Sequence, residues 1–327
     1  MICTAIAHPN IALVKYWGKR DASLNLPAVG SVSVTLSGLS TRTQVRFSAE
    51  YTQDTLHVNG VYRPEAMERV SKVLDEVRLR APACALLKAA VVSENDFPTA
   101  AGLASSASGF AALAAAACGA AGLNLNSATL SVLARIGSGS AARSVLGGFV
   151  EMLKGCKEDG SDSYAHTLFE PAHWPLTGFV AVTQETPKSI SSTVGMQHSK
   201  KQSPFYEGWV SSADADIALA KHAIAHKDFE ALAQVSEHSC LKMHGLMMST
   251  QPALLYFNPA TWAVMHEVRV LRKQGLAAFF TVDAGPQVKV LCTPQDVQRV
   301  CEAVQSIPGV LRTIPVSLGG PVRVLHG

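Results

Sequence analysis

Read for its alternation of apolar and polar positions, the first half of the chain predicts short strands interleaved with helices. SVSVTL at 31–36 and TQVRF at 43–47 alternate with a period of two, and TLHVNG at 55–60 is a strand running into an Asn-Gly turn. PEAMERVSKVLDEVRLRA switches to a helical period, with Met67, Val70, Val73, Leu74 and Val77 on one face behind an early Pro64. ALLKAAVVS at 85–93 reads as a buried strand that delivers the chain into PTAAGLASSASGF at 98–110. The alanine-rich AALAAAACGAAGL that follows has too few polar positions for a surface helix and is expected to be a buried strut. NSATLSVLARIG is a further short helix leading to GSGSAARSVLGGFVEML, and KGCKEDGSDSYAH at 154–166 is polar enough for an exposed loop.

A new unit begins near 176 with LTGFVAVT, a buried strand, and helical patterns cover 211–248. NPATWAVMHEVRVLRKQG carries its own boundaries: Asn258 as N-cap, Pro259 in the first turn and Gly275 past the end. LAAFFTVDAGPQVKVLC is strand, turn, strand, and PQDVQRVCEAVQSI is another helix. The expected organisation is two domains, 1–175 and 176–327, of α+β class, with no internal repeat.

Composition narrows the function. A chain of 327 residues with 48% apolar and 16% charged positions can bury two ordinary cores. Its net charge of +3 and 6% aromatic content lack the basic excess and stacking rings of a general nucleic-acid binder. The seven cysteines are scattered and form no CxxC pair, as expected of reduced thiols. MICTAIAHPNIALVKYW has no basic leader and is broken by Pro9 and Asn10, so it does not read as a signal peptide. The longest apolar run, around 110–123, falls short of the roughly 18 residues that span a bilayer. The expectation is a cytoplasmic protein without a membrane or nucleic-acid partner.

Candidate chemistry lies at four places. A Gly/Ser/Ala loop that opens a helix, as at 98–110, offers free backbone N–H groups and the positive end of a helix dipole. Gly102 and Gly109 would let an anion approach, and Ser105, Ser106 and Ser108 add hydroxyls for phosphate or Mg²⁺. The same smallness also permits a tight helix–helix contact, and the pattern alone does not separate the two. It is neither a GxxxxGK[ST] loop nor a GxGxxG fingerprint. KYWGKR puts Lys15 and Lys19 on one face beside Tyr16, whether strand or helix. GSGSAAR places Arg143 in the first turn of a short helix, where a cation sits badly unless an anion lies between. TVDAGP sets Asp283 at the end of an apolar strand, the best candidate for a general base. His222 and His226 lack an HExxH context and read as a polar helix face; His238 and His244 carry no stronger signal. Together these point to phosphoryl transfer without naming an acceptor.

PTAAGLASSASGFAAL resembles the phosphate loop of the GHMP kinases, and in the form AAGLASSA it is similar to one branch, the mevalonate diphosphate decarboxylases. PNIALVKYWGKRDASLNLP, GSGSAARSVLGG, SSTVGM at 191–196 and TVDAGP match that branch in order across nearly the whole chain. The resemblance implies a two-domain fold: an N-terminal domain like domain 2 of ribosomal protein S5, and a C-terminal ferredoxin-like domain, with the site in the cleft between. It implies ATP- and Mg²⁺-dependent decarboxylation of (R)-5-diphosphomevalonate to isopentenyl diphosphate, and often a homodimer. Close relatives that stop at C3 phosphorylation of mevalonate, decarboxylate the monophosphate, or only bind a phosphometabolite are the alternatives.

By motif, the resemblance makes Asp283, Lys15 and Arg143 catalytic. Tyr16, Lys19, Ser138, Gly139, Ser140, Ser192, Gly195 and Met196 would hold the substrate. Ala101, Gly102, Leu103, Ala104, Ser105 and Ser106 would wrap the ATP phosphates, with Ser93 and Asn95 at the nucleoside rim. No dedicated metal ligands are implied. Two positions depart from the pattern: Gln287 stands where the family usually has Asn, and Thr193 matches animal and fungal members where some bacterial relatives carry Arg.

Overall fold

The structure, a computed structural model, describes residues 1–97, 105–186 and 190–325. The chain opens with β1 (Ile2–Ala7), β2 (Asn10–Val14), a small hairpin of β3 (Lys19–Asp21) and β4 (Leu26–Pro27), and β5 (Ser31–Ser37). β6 (Thr41–Ser48), β7 (Thr55–Val58) and β8 (Val61–Tyr62) follow, then α1 (Met67–Arg80) and β9 (Lys88–Asn95). In β6 the period of two is visible as burial: Thr41, Thr43, Val45 and Phe47 point inward while Arg42 and Arg46 face out. α1 buries the predicted stripe of Val70, Val73, Leu74 and Val77.

The expectation of a buried strand at 85–93 is corrected. Pro82–Cys84 form a 3₁₀ turn, the strand starts at Lys88, and its residues alternate, with Ala89, Val91 and Ser93 inside and Val92 and Glu94 outside. Helices cover one face of this sheet, so the other face stays wet.

α2 (Ser105–Ala120) lies on β1 and β6 with Ala107, Ala111, Ala112 and Ala114 to Ala117 buried. Its methyl side chains let the neighbouring helices come close, and the strut expected from the sequence is observed. α3 (Ser127–Gly137) is capped by Asn126, whose side chain accepts from Thr129 N at 2.9 Å. α4 (Ala141–Ser144), β10 (Phe149–Met152) and β11 (Ala165–Phe169) complete this half.

The second half holds β12 (Thr177–Val182), α5 (Ser192–Gln202), α6 (Tyr206–His226), α7 (Phe229–Met248), α8 (Pro259–Lys273), β13 (Ala278–Val282), β14 (Val288–Cys292), α9 (Val297–Gln305), β15 (Arg312–Leu318) and β16 (Arg323–Leu325). The helical stretch across 211–248 is broken at Lys227, which takes φ +56°, and Asp228 caps the next helix. Asn258 and Thr261 form a capping box at α8.

Two large sheets result. The first runs β16-β1-β6-β9-β7-β8, all antiparallel except β7 against β9. The second runs β11-β10-β5-β15-β12-β14-β13, with β2 also paired to β5. β5 meets β15 through Ser37–Ser317 and Leu36–Leu318, so one sheet passes from the first half into the second. The last strand returns to pair with β1. This continuity brings the end of β2, the end of β13 and the start of α4 to one place. No helix among the described residues is long and apolar enough to cross a membrane.

Candidate active site

Lys15 and Asp283 each follow the last residue of a buried strand, β2 and β13. The Thr281 hydroxyl donates to the Ala12 carbonyl at 3.1 Å and ties the two strand ends together. Lys15 Nζ then donates to Asp283 Oδ1 at 2.7 Å. The lysine side chain is 1% exposed and the aspartate 31%, so the cation is the floor and the carboxylate faces the opening. Burial alone would raise the Asp283 pKa. The Lys15 ammonium, then buried Lys289 on β14, the Lys15 hydrogen bond and Arg143 together overcome it and hold the carboxyl below its usual value.

Arg143, on the one-turn helix α4, is 3% exposed. Its Nε donates to Asn10 Oδ1 at 3.0 Å and its Nη1 to the Ser31 hydroxyl at 2.8 Å. No carboxylate lies within ion-pair distance of it among the described residues. Burial lowers its pKa to about 10, partly offset by Asp283 and Tyr16. A buried guanidinium held by neutral acceptors leaves donor capacity for an external anion.

A cavity of about 500 Å³ opens over these groups, lined among others by Tyr16, Lys19, Arg69, Ser140, Ser192 and Asp283. KYWGKR is neither strand nor helix throughout: Gly18 turns the chain at φ +98°, and Lys19 starts β3. The turn swings Lys19 onto Asn25, whose Oδ1 accepts at 2.5 Å. Burial, then Arg69 and Lys72, lowers the Lys19 pKa to about 8. Tyr16 Oη is buried without a partner, and a Cβ on Gly139 would stand 2.4 Å from it. Burial raises that phenol's pKa above its normal range. Arg69 donates Nε to the Gly137 carbonyl at 2.9 Å and rides 4.5 Å over the Phe110 ring. Three cations without a carboxylate partner among the described residues thus border one cavity, a setting for a polyanion.

Ser138, Gly139 and Ser140 line the same wall, Ser105 and Ser106 open α2 at its rim, and the start of α5 contributes Ser191, Ser192, Thr193 and Met196. Gly195 is turned away from the opening, against the Trp17 ring and Tyr256. Ala101, Gly102, Leu103 and Ala104 lie outside the described residues, as does the rest of 98–104. Ser108 is corrected: its hydroxyl meets Thr41 Oγ1 at 2.6 Å in the core, because helix rotation turns it away from the rim. Ser93 and Asn95 sit on β9, bonded to Thr43 and Thr41, and do not border the cavity. Among the described residues no group of three or more His, Cys, Asp or Glu is arranged for a metal ion.

A family model described as the diphosphomevalonate decarboxylase-like N-terminal domain matches residues 7–165. A second, the mevalonate 5-diphosphate decarboxylase C-terminal domain, matches 178–315. The chain belongs to the diphosphomevalonate decarboxylase family. It is 38% identical over 319 residues to the diphosphomevalonate decarboxylase of Gibberella zeae, covering 92% of this chain and 84% of that one. The crystal structure of mevalonate diphosphate decarboxylase from Staphylococcus aureus superposes with a TM-score of 0.92 at 38% identity, covering 100% of this chain and 99% of the other. A complex of MDDEF with MVAPP, AMPPCP and magnesium gives 0.91 at 36% identity, with the same coverage. The fold is therefore the GHMP kinase-type fold of the mevalonate diphosphate decarboxylases.

Within this decarboxylase fold, sequence reasoning missed Asn10, Asn25 and Arg69 at the cavity and His244 behind it. Asn10 and Asn25 stand in the matched PNIALVKYWGKRDASLNLP segment, but nothing there separates them from turn residues. Arg69 is one of several cations on a predicted amphipathic helix. His244 is 1% exposed and stacks on Phe257 at 3.9 Å, unlike exposed His222 and His226. Gln287 spends its amide on main chain: Oε1 accepts from Thr183 N at 2.7 Å and Nε2 donates to the Gln184 carbonyl.

Proposed function

We propose that this enzyme consumes ATP and (R)-5-diphosphomevalonate and releases isopentenyl diphosphate, CO₂, ADP and phosphate. The observation that carries the reading is the Lys15–Asp283 pair at the floor of a cavity whose other charged lining residues, Lys19, Arg69 and Arg143, are cations. The C3 hydroxyl is a feeble acid, so it needs aiming more than early ionisation. In a loose phosphoryl-transfer transition state Asp283 accepts its proton late, while Lys15 keeps the carboxylate charged. The oxygen takes the γ-phosphoryl group and ADP leaves. The C3–O bond then breaks with the electron pair going to phosphate. The C1–C2 bond supplies its pair to the C2=C3 alkene, and C1 departs as CO₂.

Arg143 grips the carboxylate that becomes CO₂. Tyr16, Lys19, Ser138, Gly139, Ser140, Ser192 and Met196 hold the diphosphate, with Gly195 shaping the α5 wall, and Arg69 adds a cation to the same anion. The diphosphate takes no part in bond making; its binding fixes C3 against the nucleotide. Ser105 and Ser106 face the ATP phosphates, and Ala101, Gly102, Leu103 and Ala104, with Ser93 and Asn95 further out, complete that side. The hydroxyls of Ser105 and Ser106 are hard oxygen donors of the kind Mg²⁺ accepts beside phosphate, and the ion would neutralise charge on the ATP oxygens. Division at 175/176, a homodimer and a cytoplasmic location belong to the same proposal.

The test is to incubate purified protein with ATP and, separately, mevalonate, its 5-phosphate and its 5-diphosphate. Equal CO₂ and ADP from the diphosphate alone is expected. ADP without CO₂, or a preference for the monophosphate, refutes the assignment.

A further inference from the structure

β13 ends its sheet, so the outward N–H and C=O groups of alternate residues have no strand beside them. Side chains of α7 and α8 supply the partners instead. Arg272 Nη1 donates to the Ala278 carbonyl at 3.1 Å, and Phe280 N–H to Glu237 Oε1 at 3.4 Å. Val282 N–H donates to Cys240 Sγ at 3.2 Å, and His244 Nε2 stands 3.3 Å from the Val282 carbonyl. A carbonyl only accepts, so Nε2 carries the ring proton. Burial drives the imidazole pKa down to about 3, and the ring is neutral. Glu237, Cys240 and His244 are spaced i, i+3, i+7 and form one stripe of α7.

The residue immediately after this clamp is Asp283. On the same helix, Ser239 Oγ accepts the Lys15 backbone N–H at 3.0 Å. One helix therefore holds the main chain of Lys15 and that of Val282, the residue before Asp283. Phe257 stacked at 3.9 Å and Tyr256 edge-on at 6.5 Å fix the imidazole plane. The Cys240 S–H also donates to the Val282 carbonyl, at 3.5 Å, but a thiol is a weak donor. A phenylalanine would fill the space at position 244 and leave the carbonyl to that weak bond alone. Neither Cys240 nor His244 borders the cavity.

We infer that His244 and Cys240 are positioning residues, which lock the Val282 peptide and thereby set Asp283 opposite the acceptor hydroxyl without touching substrate. The inference rests on the decarboxylase reading above. The charged and titratable groups facing Asp283 are Lys15 after β2, Lys289 on β14, Arg143 on α4, and Cys240 and His244 on α7.

The experiment compares wild type with His244→Phe and His244→Gln, assayed with ATP and mevalonate 5-diphosphate. Absence of wild-type turnover would overturn the functional reading itself and leave no positioning role to claim. With wild type active, His244→Phe should lower kcat by about 10–100-fold, the scale of an ångström misplacement. KM for both substrates should stay within about twofold, since no binding group moves. The acid limb of kcat/KM should rise by on the order of one unit as Asp283 slips from Lys15. The glutamine amide can reach the same carbonyl, so His244→Gln should recover most of kcat. Unchanged kcat and acid limb in His244→Phe, or a glutamine variant no better than phenylalanine at equal thermal stability, overturns the inference. If His244→Phe does not fold, Cys240→Ala carries the test with the same expected and contrary outcomes.

Discussion

Asn10 Oδ1 accepts the Arg143 Nε–H at 3.0 Å, while its own amide donates to the Ser140 carbonyl at 2.9 Å and the Ser144 hydroxyl at 2.7 Å. A neutral residue thus orients a buried guanidinium and leaves its charge unspent. Asn10→Asp should pair with Arg143 directly, compete with the substrate carboxylate and lower kcat, at a stability cost of about 1–3 kcal/mol because the Ser140 carbonyl loses its donor. Steady-state kinetics and thermal unfolding check this together. Arg143→Lys cannot meet Asn10 and Ser31 at once and should lose about 10²–10³ in kcat, as when one well-placed donor is removed.

Asp283→Asn removes the proton acceptor yet keeps the shape. Turnover should fall by about 10²–10⁴, the usual contribution of a positioned base. ATP affinity, measured by calorimetry, should stay within about twofold, because the ATP phosphates are held elsewhere. Release of CO₂ near the wild-type rate would falsify the role given to this carboxylate.

The acid side of the pH profile follows from the same pair. The Asp283 carboxyl is held below the ordinary aspartate value of 3.8, so its charge survives to that region and is lost as pH falls through the folded value. The stability it contributes is present above the unfolded pKa and disappears on the same descent. Lys15→Met removes the largest favourable charge, so the acid limb of kcat/KM should move upward and acid unfolding should begin at higher pH. An acid limb that stays put would show that Lys289 and Arg143 suffice.

Much of this was legible in the chain because function sits at element ends. Lys15 and Asp283 each lie one step beyond a short apolar run, and Ser105 opens the alanine-rich helix marked as buried by its composition. What was not legible depends on contacts between distant segments. Asn10 and Arg143 are 133 positions apart within the first half, and Lys15 and Asp283 are 268 apart, in halves joined by the sheet that β5 and β15 share. Ser108 belongs to the same serine-rich run as Ser105 and Ser106, but three residues of helix turn it onto Thr41. His244 was unreadable because polar residues are scattered round its helix and Ser236, Glu237 and Ser239 are buried as well, so one buried polar group leaves no periodic trace. The run 85–93 is apolar enough to read as a buried strand, yet only alternate residues from Lys88 on are buried, because one face of the sheet has no helix over it.

Gly139 shows how a missing side chain builds the substrate wall. A Cβ there would come within 2.4 Å of Tyr16 Oη, on a rigid ring that has little room to yield. Gly139→Ala should push the phenol off the diphosphate wall, raising KM for the diphosphate substrate about tenfold while KM for ATP holds, as expected for lost uniform binding. Equal effects on both substrates would place the disturbance in the fold instead.

Lys19 makes binding itself pH-dependent. Its pKa is lowered to about 8 by burial and by Arg69 and Lys72, so in the free enzyme the ammonium discharges as pH rises through that value. A diphosphate favours the charged form and must raise the pKa on binding, which means the complex takes up protons above pH 8. The sign for folding is opposite to that of a paired lysine: the buried charge is a cost below about pH 8, and it fades as pH climbs toward the unfolded value of 10.5. Affinity for mevalonate 5-diphosphate should therefore fall between pH 8 and 9.5, with net proton uptake visible as a buffer-dependent binding enthalpy. Lys19→Ala should bind more weakly at pH 7 and lose both the slope and the uptake. A slope that persists in the alanine variant assigns the titration to another group.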